Sequence, residues 1–149
     1  MNNVFLDTNI ILDLILKRSS FDKNYFNISL ELINKCLYES CSMYVSIISL
    51  NDVFYITSKL AKGQEGTAKR QHIKQKINNL LKLVNPVITT QKAFYDALES
   101  DFKDFEDALQ YFTACENDIS FIITRNKKDF VFSEIPVYTP YEFLNLPVK

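Results

Sequence analysis

Histidine is almost missing from this chain, and glycine nearly so. The only histidine, His72, sits in the polar run Lys69-Arg70-Gln71-His72. A histidine-rich zinc site is thereby excluded, and a Ser-His-Asp or Cys-His mechanism would have to pass through that single residue. The two glycines, Gly63 and Gly66, bracket a turn and stand alone, so no glycine-rich loop exists to cradle a nucleotide's phosphates. The three cysteines, Cys36, Cys41 and Cys115, are odd in number and lack metal-ligand spacing; they read as ordinary thiols of a cytoplasmic protein. No apolar run approaches the length of a membrane span. The start, Met1-Asn2-Asn3-Val4, has no basic region, and Asp7 and Asp13 interrupt the apolar stretch behind it, so no secretory signal and no membrane partner are expected.

What is present suits one globular domain over residues 1–149, with 47% hydrophobic and 23% charged residues. The net charge of −1 carries no message, but its distribution does. Residues 59–82 hold Lys59, Lys62, Lys69, Arg70, Lys74, Lys76 and Lys82 against Glu65 alone. Residues 91–118 hold Asp96, Glu99, Asp101, Asp104, Glu106, Asp107, Glu116 and Asp118 against Lys92 and Lys103. A phosphate-binding surface beside a metal-binding one would look like this; so would two solvated helix faces, the commoner meaning of a charge run.

Hydrophobic periodicity gives the order of elements. Val4-Phe5-Leu6 reads as a buried strand ending at Asp7, and 9–17 as a helix. Residues 24–39 place Phe26, Leu30, Ile33 and Leu37 at helical spacing. Met43 to Ile48 is β-branched and apolar, a second strand, and Val53, Ile56 and Leu60 mark a helix from Ser49 onward. Ile73, Ile77, Leu80, Leu81 and Val84 form the inner face of the next helix, with lysines outside. Val84 to Ile88, interrupted by Pro86, reads as a short edge strand. Phe105, Ala108, Leu109, Phe112 and Cys115 mark another amphipathic helix, Phe121-Ile122-Ile123-Thr124 a buried strand, and Pro136 to Tyr138 a last one. Strands alternating with helices predict an α/β fold with a central parallel β-sheet flanked by helices on both faces.

In such a sheet the functional crevice lies beyond the carboxyl ends of the strands. Asp7, with Thr8 and Asn9, follows the first strand. Asn51 and Asp52 come just after the second. Asn126 follows the strand at 121–124, with Asp129 three residues on. Asp104-Phe105-Glu106-Asp107 opens a helix, its two aspartates spaced to share a face. Each has a plain alternative: Asp7 as a helix cap, Asp52 as a first-turn acid, Asp104 and Asp107 as a capping pair, Asn126 and Asp129 as turn residues. Together they describe converging carboxylates, which repel one another without a cation. Oxygen-only ligands suit Mg²⁺ or Mn²⁺, and chemistry on such an ion needs no histidine.

The motifs Val4-Phe5-Leu6-Asp7-Thr8-Asn9-Ile10-Ile11-Leu12-Asp13, Ser46-Ile47-Ile48-Ser49-Leu50-Asn51-Asp52, Asp104-Phe105-Glu106-Asp107-Ala108-Leu109 and Ile123-Thr124-Arg125-Asn126-Lys127-Lys128-Asp129-Phe130 resemble, in that order, the PIN-domain family, above all its small VapC-like members. The resemblance runs from about Val4 to Tyr141. It implies a PIN-like fold and an Mg²⁺- or Mn²⁺-dependent endoribonuclease, often the toxin of a type II toxin–antitoxin pair. It further implies an RNA substrate, a cognate antitoxin that inserts a helix or strand near the site, and a homodimer.

Carried over residue by residue, the resemblance makes Asp7, Asp52, Asp104, Asp107, Asn126 and Asp129 the catalytic set. Asp7, Asp104, Asp107 and Asp129 are its metal ligands, and Thr8, Asn9 and Thr124 their supports. Asp52 falls where the family usually has Glu, and Asn126 where many members carry Asp. Both changes weaken a second metal more than the first, so one firm ion is expected and a second arrives with substrate. Arg125 and Lys127, by adjacency, and then Lys69, Arg70 and Lys74, are the expected phosphate contacts. The apolar residues Ile10, Ile11, Leu14, Ile15, Phe26 and Leu30 are expected mostly in the core. The rival readings are a PIN-fold module that binds RNA or protein without cutting, a receiver-like or nucleotide-binding α/β domain, and a nuclease for DNA.

Overall fold

A computed structural model describes residues 2–18, 23–60 and 66–147. Five parallel strands form one sheet in the order β3-β2-β1-β4-β5: β1 Asn3–Leu6, β2 Ser42–Ser46, β3 Val84–Val87, β4 Phe121–Ile123 and β5 Val137–Tyr138. Helices α1 Thr8–Leu16 and α2 Tyr25–Tyr38 connect β1 to β2. Helices α3 Ile47–Leu60 and α4 Gly66–Leu80 connect β2 to β3, and α5 Gln91–Glu99 with α6 Phe105–Cys115 connect β3 to β4. A 3-10 turn, Lys127–Phe130, precedes β5, and α7 Pro140–Leu144 follows it.

The two-residue period of the strands sorts the core onto both faces of the sheet. Val4, Leu6, Met43, Val45 and Ile123 pack with Ile10, Ile11, Ile15, Leu32, Ile33, Cys36, Val53 and Phe143, from α1, α2, α3 and α7. Phe5 and Ile122, on the alternate positions, pack with Tyr111, Ala114 and Phe130 beneath α6 and the 3-10 turn. The expected parallel sheet, covered on both faces, is the fold observed. Its central strands are buried on both sides, which is why they read as unbroken apolar runs.

Several local expectations shift. The second strand stops at Ser46 and its helix begins at Ile47, because the Ser46 hydroxyl accepts the Ile48 N–H at 3.1 Å and opens the helix inside the apolar run. Asn51 and Asp52 therefore lie in its second turn. On α2 the buried stripe is Ser29, Leu32, Ile33 and Cys36, whereas Leu30 and Leu37 are exposed at 41% and 47%. The small Ser29 and Cys36 allow close approach there. On α3, Leu60 is exposed and the inner face passes through Val53 and Thr57, whose hydroxyl bonds back to the Val53 carbonyl at 2.7 Å. Val84 is not on α4, which ends at Leu80; it opens β3, an edge strand that tolerates Pro86. Gly66 starts α4, and Gly63, Lys62 and Glu65 lie outside the described residues. Helix α5, which the periodicity did not reveal, buries only Ala93 and Ala97 and is capped by Thr90, whose hydroxyl accepts the Ala93 N–H at 3.0 Å. Helix α7 likewise carries no periodic signal in the sequence; Thr139 and Glu142 open it with a capping box.

Candidate active site

Asp7 leaves β1 at its carboxyl end and caps α1, so one residue serves both the helix and the crevice. It is 4% exposed, and three donors hold its carboxylate. The Thr8 N–H reaches Oδ1 at 2.6 Å. Asn9 Nδ2 reaches Oδ2 at 2.8 Å, and the Thr124 hydroxyl reaches the same oxygen at 2.6 Å. Thr124 stands just beyond β4, beside β1 in the sheet, and its own oxygen accepts the Asn126 N–H at 3.1 Å. Asn9 completes this layer by accepting the Arg125 N–H at 3.3 Å. The polar residues that follow β1 and β4 thus form one lattice around Asp7.

The other acids arrive on α6 and the 3-10 turn. Asp104 caps α6, accepting the Asp107 N–H at 3.1 Å, so the plain capping role holds for it whatever else it does. Asp107, one turn in, is half-buried. Burial and then the charges of Asp7, Asp104, Asp129 and Glu106 push its carboxyl up to about 7. Asp7 is also raised, chiefly by burial; its hydrogen bonds work against that and the charge of Asp129 with it. Asp7, Asp104, Asp107 and Asp129 therefore share one field.

Asp52 stands to one side. Its charge acts on Glu106, which is raised first by burial and which accepts the Thr8 hydroxyl at 3.0 Å. Glu106 had no place in the set carried over by resemblance. A second polar lattice surrounds it: the Thr8 hydroxyl also meets Ser49 Oγ at 2.8 Å, and Ser49 Oγ donates to Gln110 Oε1 at 3.2 Å. The one available signal was the Glu106–Gln110 spacing of four, which places two polar side chains on one side of α6.

The expected phosphate contacts fare unevenly. Arg125 is not a free arm: its Nε lies 2.9 Å from Asp13 Oδ2, and its guanidinium stacks 4.2 Å from the Tyr25 ring centroid. Asp13 is fully buried, so the charge of Arg125 is already engaged inside the protein. Lys127 pairs with Glu142 at 3.0 Å on the surface. Lys69, Arg70 and Lys74 lie exposed on α4, which packs on α3 and α1. Two further cations, Lys103 and Lys128, share a depression of about 340 Å³ with Asp104, Asp129 and Phe132. Asn126 is exposed, and its side chain caps nothing.

Chemically the site is an all-oxygen acidic cleft. Among the described residues no three His, Cys, Asp or Glu side chains already stand together as a cage for an ion. The donor chemistry nevertheless fits a hard dication: carboxylates raised first by burial and then by one another's charge have a cation as their natural partner.

A PIN-domain sequence profile matches residues 3–128. The chain belongs to the PIN-domain family. That span includes Asp7, Asp52, Asp104, Asp107 and Asn126 and stops one residue before Asp129. Across the PIN domain and beyond it, the chain is 31% identical over 144 residues to Ribonuclease VapC1 of Aquifex aeolicus (strain VF5), covering 94% of this chain and 92% of that one. The fold resembles VapBC2 of Rickettsia felis, solved with a DNA fragment from their promoter, at a TM-score of 0.65 and 20% identity over 92% of this chain and 98% of that one. It also resembles FitAB bound to the IR36 DNA fragment, at a TM-score of 0.67 and 16% identity over 93% and 95% of the two chains. At these identities the likeness establishes the PIN fold alone. No helix among the described residues is long and apolar enough to cross a membrane.

Proposed function

We propose that this PIN domain is an endoribonuclease that hydrolyses RNA phosphodiester bonds with Mg²⁺ or Mn²⁺. The observation that carries the reading is the shared acidic field around Asp7 and Asp107, at the carboxyl edge of a parallel sheet, in a chain 31% identical to a named ribonuclease. Asp7, Asp107, Asp104 and Asp129 would hold the ion, with Asn126 as a neutral neighbour. A bound dication supplies an activated water and offsets the phosphodiester's charge. The protein's own part is orientation. Thr8, Asn9 and Thr124 fix the Asp7 carboxylate, Asp104 caps α6 by accepting the Asp107 N–H, and Glu106 with Asp52 adds further acidic charge.

The same reading makes the chain the toxin of a type II toxin–antitoxin pair, acting in the cytoplasm with a protein antitoxin as partner. Support comes from the VapBC2 and FitAB structures that the fold resembles, and from three cysteines that are all free thiols.

The test is cleavage of a mixed panel of labelled RNAs and single-stranded DNAs by wild type and Asp7→Asn, with Mg²⁺, with Mn²⁺ and with chelator. RNA cutting that needs metal and disappears in the variant is the expected result. Full activity in Asp7→Asn would overturn the mechanism. A folded wild type that binds RNA but cuts nothing would establish the rival, a PIN fold that binds without cutting, which the neutral Asn126 favours.

A further inference from the structure

Beside the acidic cleft, a cavity of about 550 Å³ opens between α1, α2, α7 and the turn after β4. Its walls include Tyr25, Ser29, Arg125, Asn126, Thr139 and Tyr141. We propose that this cavity is a subsite for one unpaired nucleobase of the RNA strand, next to the phosphate being cut. The proposal deepens the ribonuclease reading and rests on it.

Position comes first. Asn126, in the cavity wall, donates its N–H to Thr124 Oγ1 at 3.1 Å, and Thr124 donates to Asp7 Oδ2 at 2.6 Å. Two hydrogen bonds therefore separate the cavity from the central carboxylate, so a strand lying across Asp7 carries a neighbouring base to its mouth. Its volume lies within the range of small-ligand pockets.

The wall chemistry selects a base over a phosphate. Arg125 would ordinarily favour an anion, but the fully buried Asp13 neutralises it from 2.9 Å. What remains of it is a flat guanidinium stacked 4.2 Å from the Tyr25 ring centroid, a platform for another planar group. Tyr141 adds a second ring, 72% exposed at the rim. Lys23, also in the wall and engaged within the chain, adds a positive charge of the sign an RNA strand requires. Single-stranded RNA is read in this way, with bases splayed onto aromatic or guanidinium planes and hydrogen-bonded at their edges.

An independent observation points to a polar ligand. Ser29 lines the cavity, is 1% exposed, and its Oγ has no hydrogen-bond partner. A buried hydroxyl of this kind is costly unless something meets it. The edge of a nucleobase, bearing both donors and acceptors, can do so.

The experiment photocrosslinks the full chain, in chelator to prevent cutting, to short randomised RNA pools carrying 4-thiouridine or 6-thioguanosine, and maps the adducts by mass spectrometry. Adducts on the peptides containing Tyr25 or Tyr141 are expected. Tyr141→Ala should weaken binding of the same pool by about tenfold in anisotropy, as loss of a stacking partner does. Ser29→Ala, a second variant that preserves packing, should shift the base preference of the adducts. Adducts confined to other surfaces, or wild-type affinity in Tyr141→Ala, would overturn the subsite; so would occupation of the cavity by a protein segment while RNA binds elsewhere. If Asp7→Asn still abolishes cutting in that case, the subsite alone has failed. Neither cutting nor crosslinking would remove both readings.

Discussion

The Thr124 hydroxyl donates to Asp7 Oδ2 at 2.6 Å while its oxygen accepts the Asn126 N–H at 3.1 Å and the Asn9 amide at 3.2 Å. One buried hydroxyl thereby ties the end of β4 to the acid that follows β1. Thr124→Val keeps the shape and removes all three bonds. The variant should lose roughly 1–3 kcal/mol of stability, because buried partners are left unpaired. It should also bind a dication about tenfold more weakly, as loss of an orienting group typically does. Thr124→Ser should restore most of both. Titration calorimetry with Mn²⁺, beside urea unfolding, checks the pair; wild-type metal affinity in Thr124→Val would remove Thr124 from the support of Asp7.

Asp107 gives a pH prediction for the metal-free protein. Its folded pKa of about 7 lies above the ordinary 3.8, pushed there by burial and then by Asp7, Asp104, Asp129 and Glu106. A carboxyl raised on folding opposes the fold when ionised. The penalty is fully present above pH 7, shrinks as pH falls through 7, and vanishes below the unfolded value. In chelator, the wild type should therefore melt at a higher temperature at pH 5.5 than at pH 8. Asp107→Asn should flatten that difference and raise Tm at pH 8 by roughly 2–6 °C. Mg²⁺ should stabilise the wild type and not the variant. A variant that melts lower than wild type at pH 8 in chelator would show that the acids do not strain one another.

The sequence made the centre of the site legible and its edges less so. Asp7, Thr124 and Asn126 were readable because strand ends in a parallel sheet are forced together, and the apolar runs Val4-Phe5-Leu6 and Phe121-Ile122-Ile123 located those ends. Asp104 and Asp107 were readable from their spacing on one helix turn. Glu106 was not, because its partner Thr8 comes from another helix and no local period announces a contact across 98 residues. The partner of Arg125 was hidden for the same reason. Adjacency to Asn126 suggested a phosphate arm, whereas its partner Asp13 lies on the far turn of α1. Helix α5 escaped because alanines, not large apolar residues, make its buried face.

Asn126 tests how complete the acidic set is. Its backbone already touches the lattice of Asp7 through Thr124, so a carboxylate there adds charge beside the ion rather than far from it. Asn126→Asp should tighten Mn²⁺ binding by about tenfold, since affinity in oxygen sites follows the number of charged ligands. In chelator the same change should lower Tm at pH 8, by adding one more like charge to the cleft. Unchanged Mn²⁺ affinity would place Asn126 beyond the ion's reach and leave it only the cavity wall.

The ion pair of Asp13 and Arg125 yields the last prediction. Asp13 is fully buried, Arg125 Nε approaches its Oδ2 to 2.9 Å, and Asp13 is raised by burial against the pull of Arg125 and Arg18. Arg125→Met strands that carboxylate. The loss should be about 2–4 kcal/mol, toward the low side of buried pairs because the Arg125 side chain keeps 26% of its surface exposed. It should be greatest at high pH and shrink on acidification, since protonation of Asp13 relieves it. The double variant Asp13→Leu/Arg125→Met should recover most of the loss, because two apolar groups replace the pair together. The same pair decides whether Arg125 is an RNA phosphate contact. A free contact would make Arg125→Met reduce the slope of log affinity against log salt by about one. A paired guanidinium leaves the slope unchanged, and we expect it unchanged. A clear drop in slope, with the double variant no more stable than Arg125→Met, would return Arg125 to the phosphate backbone and leave Asp13 as a bystander.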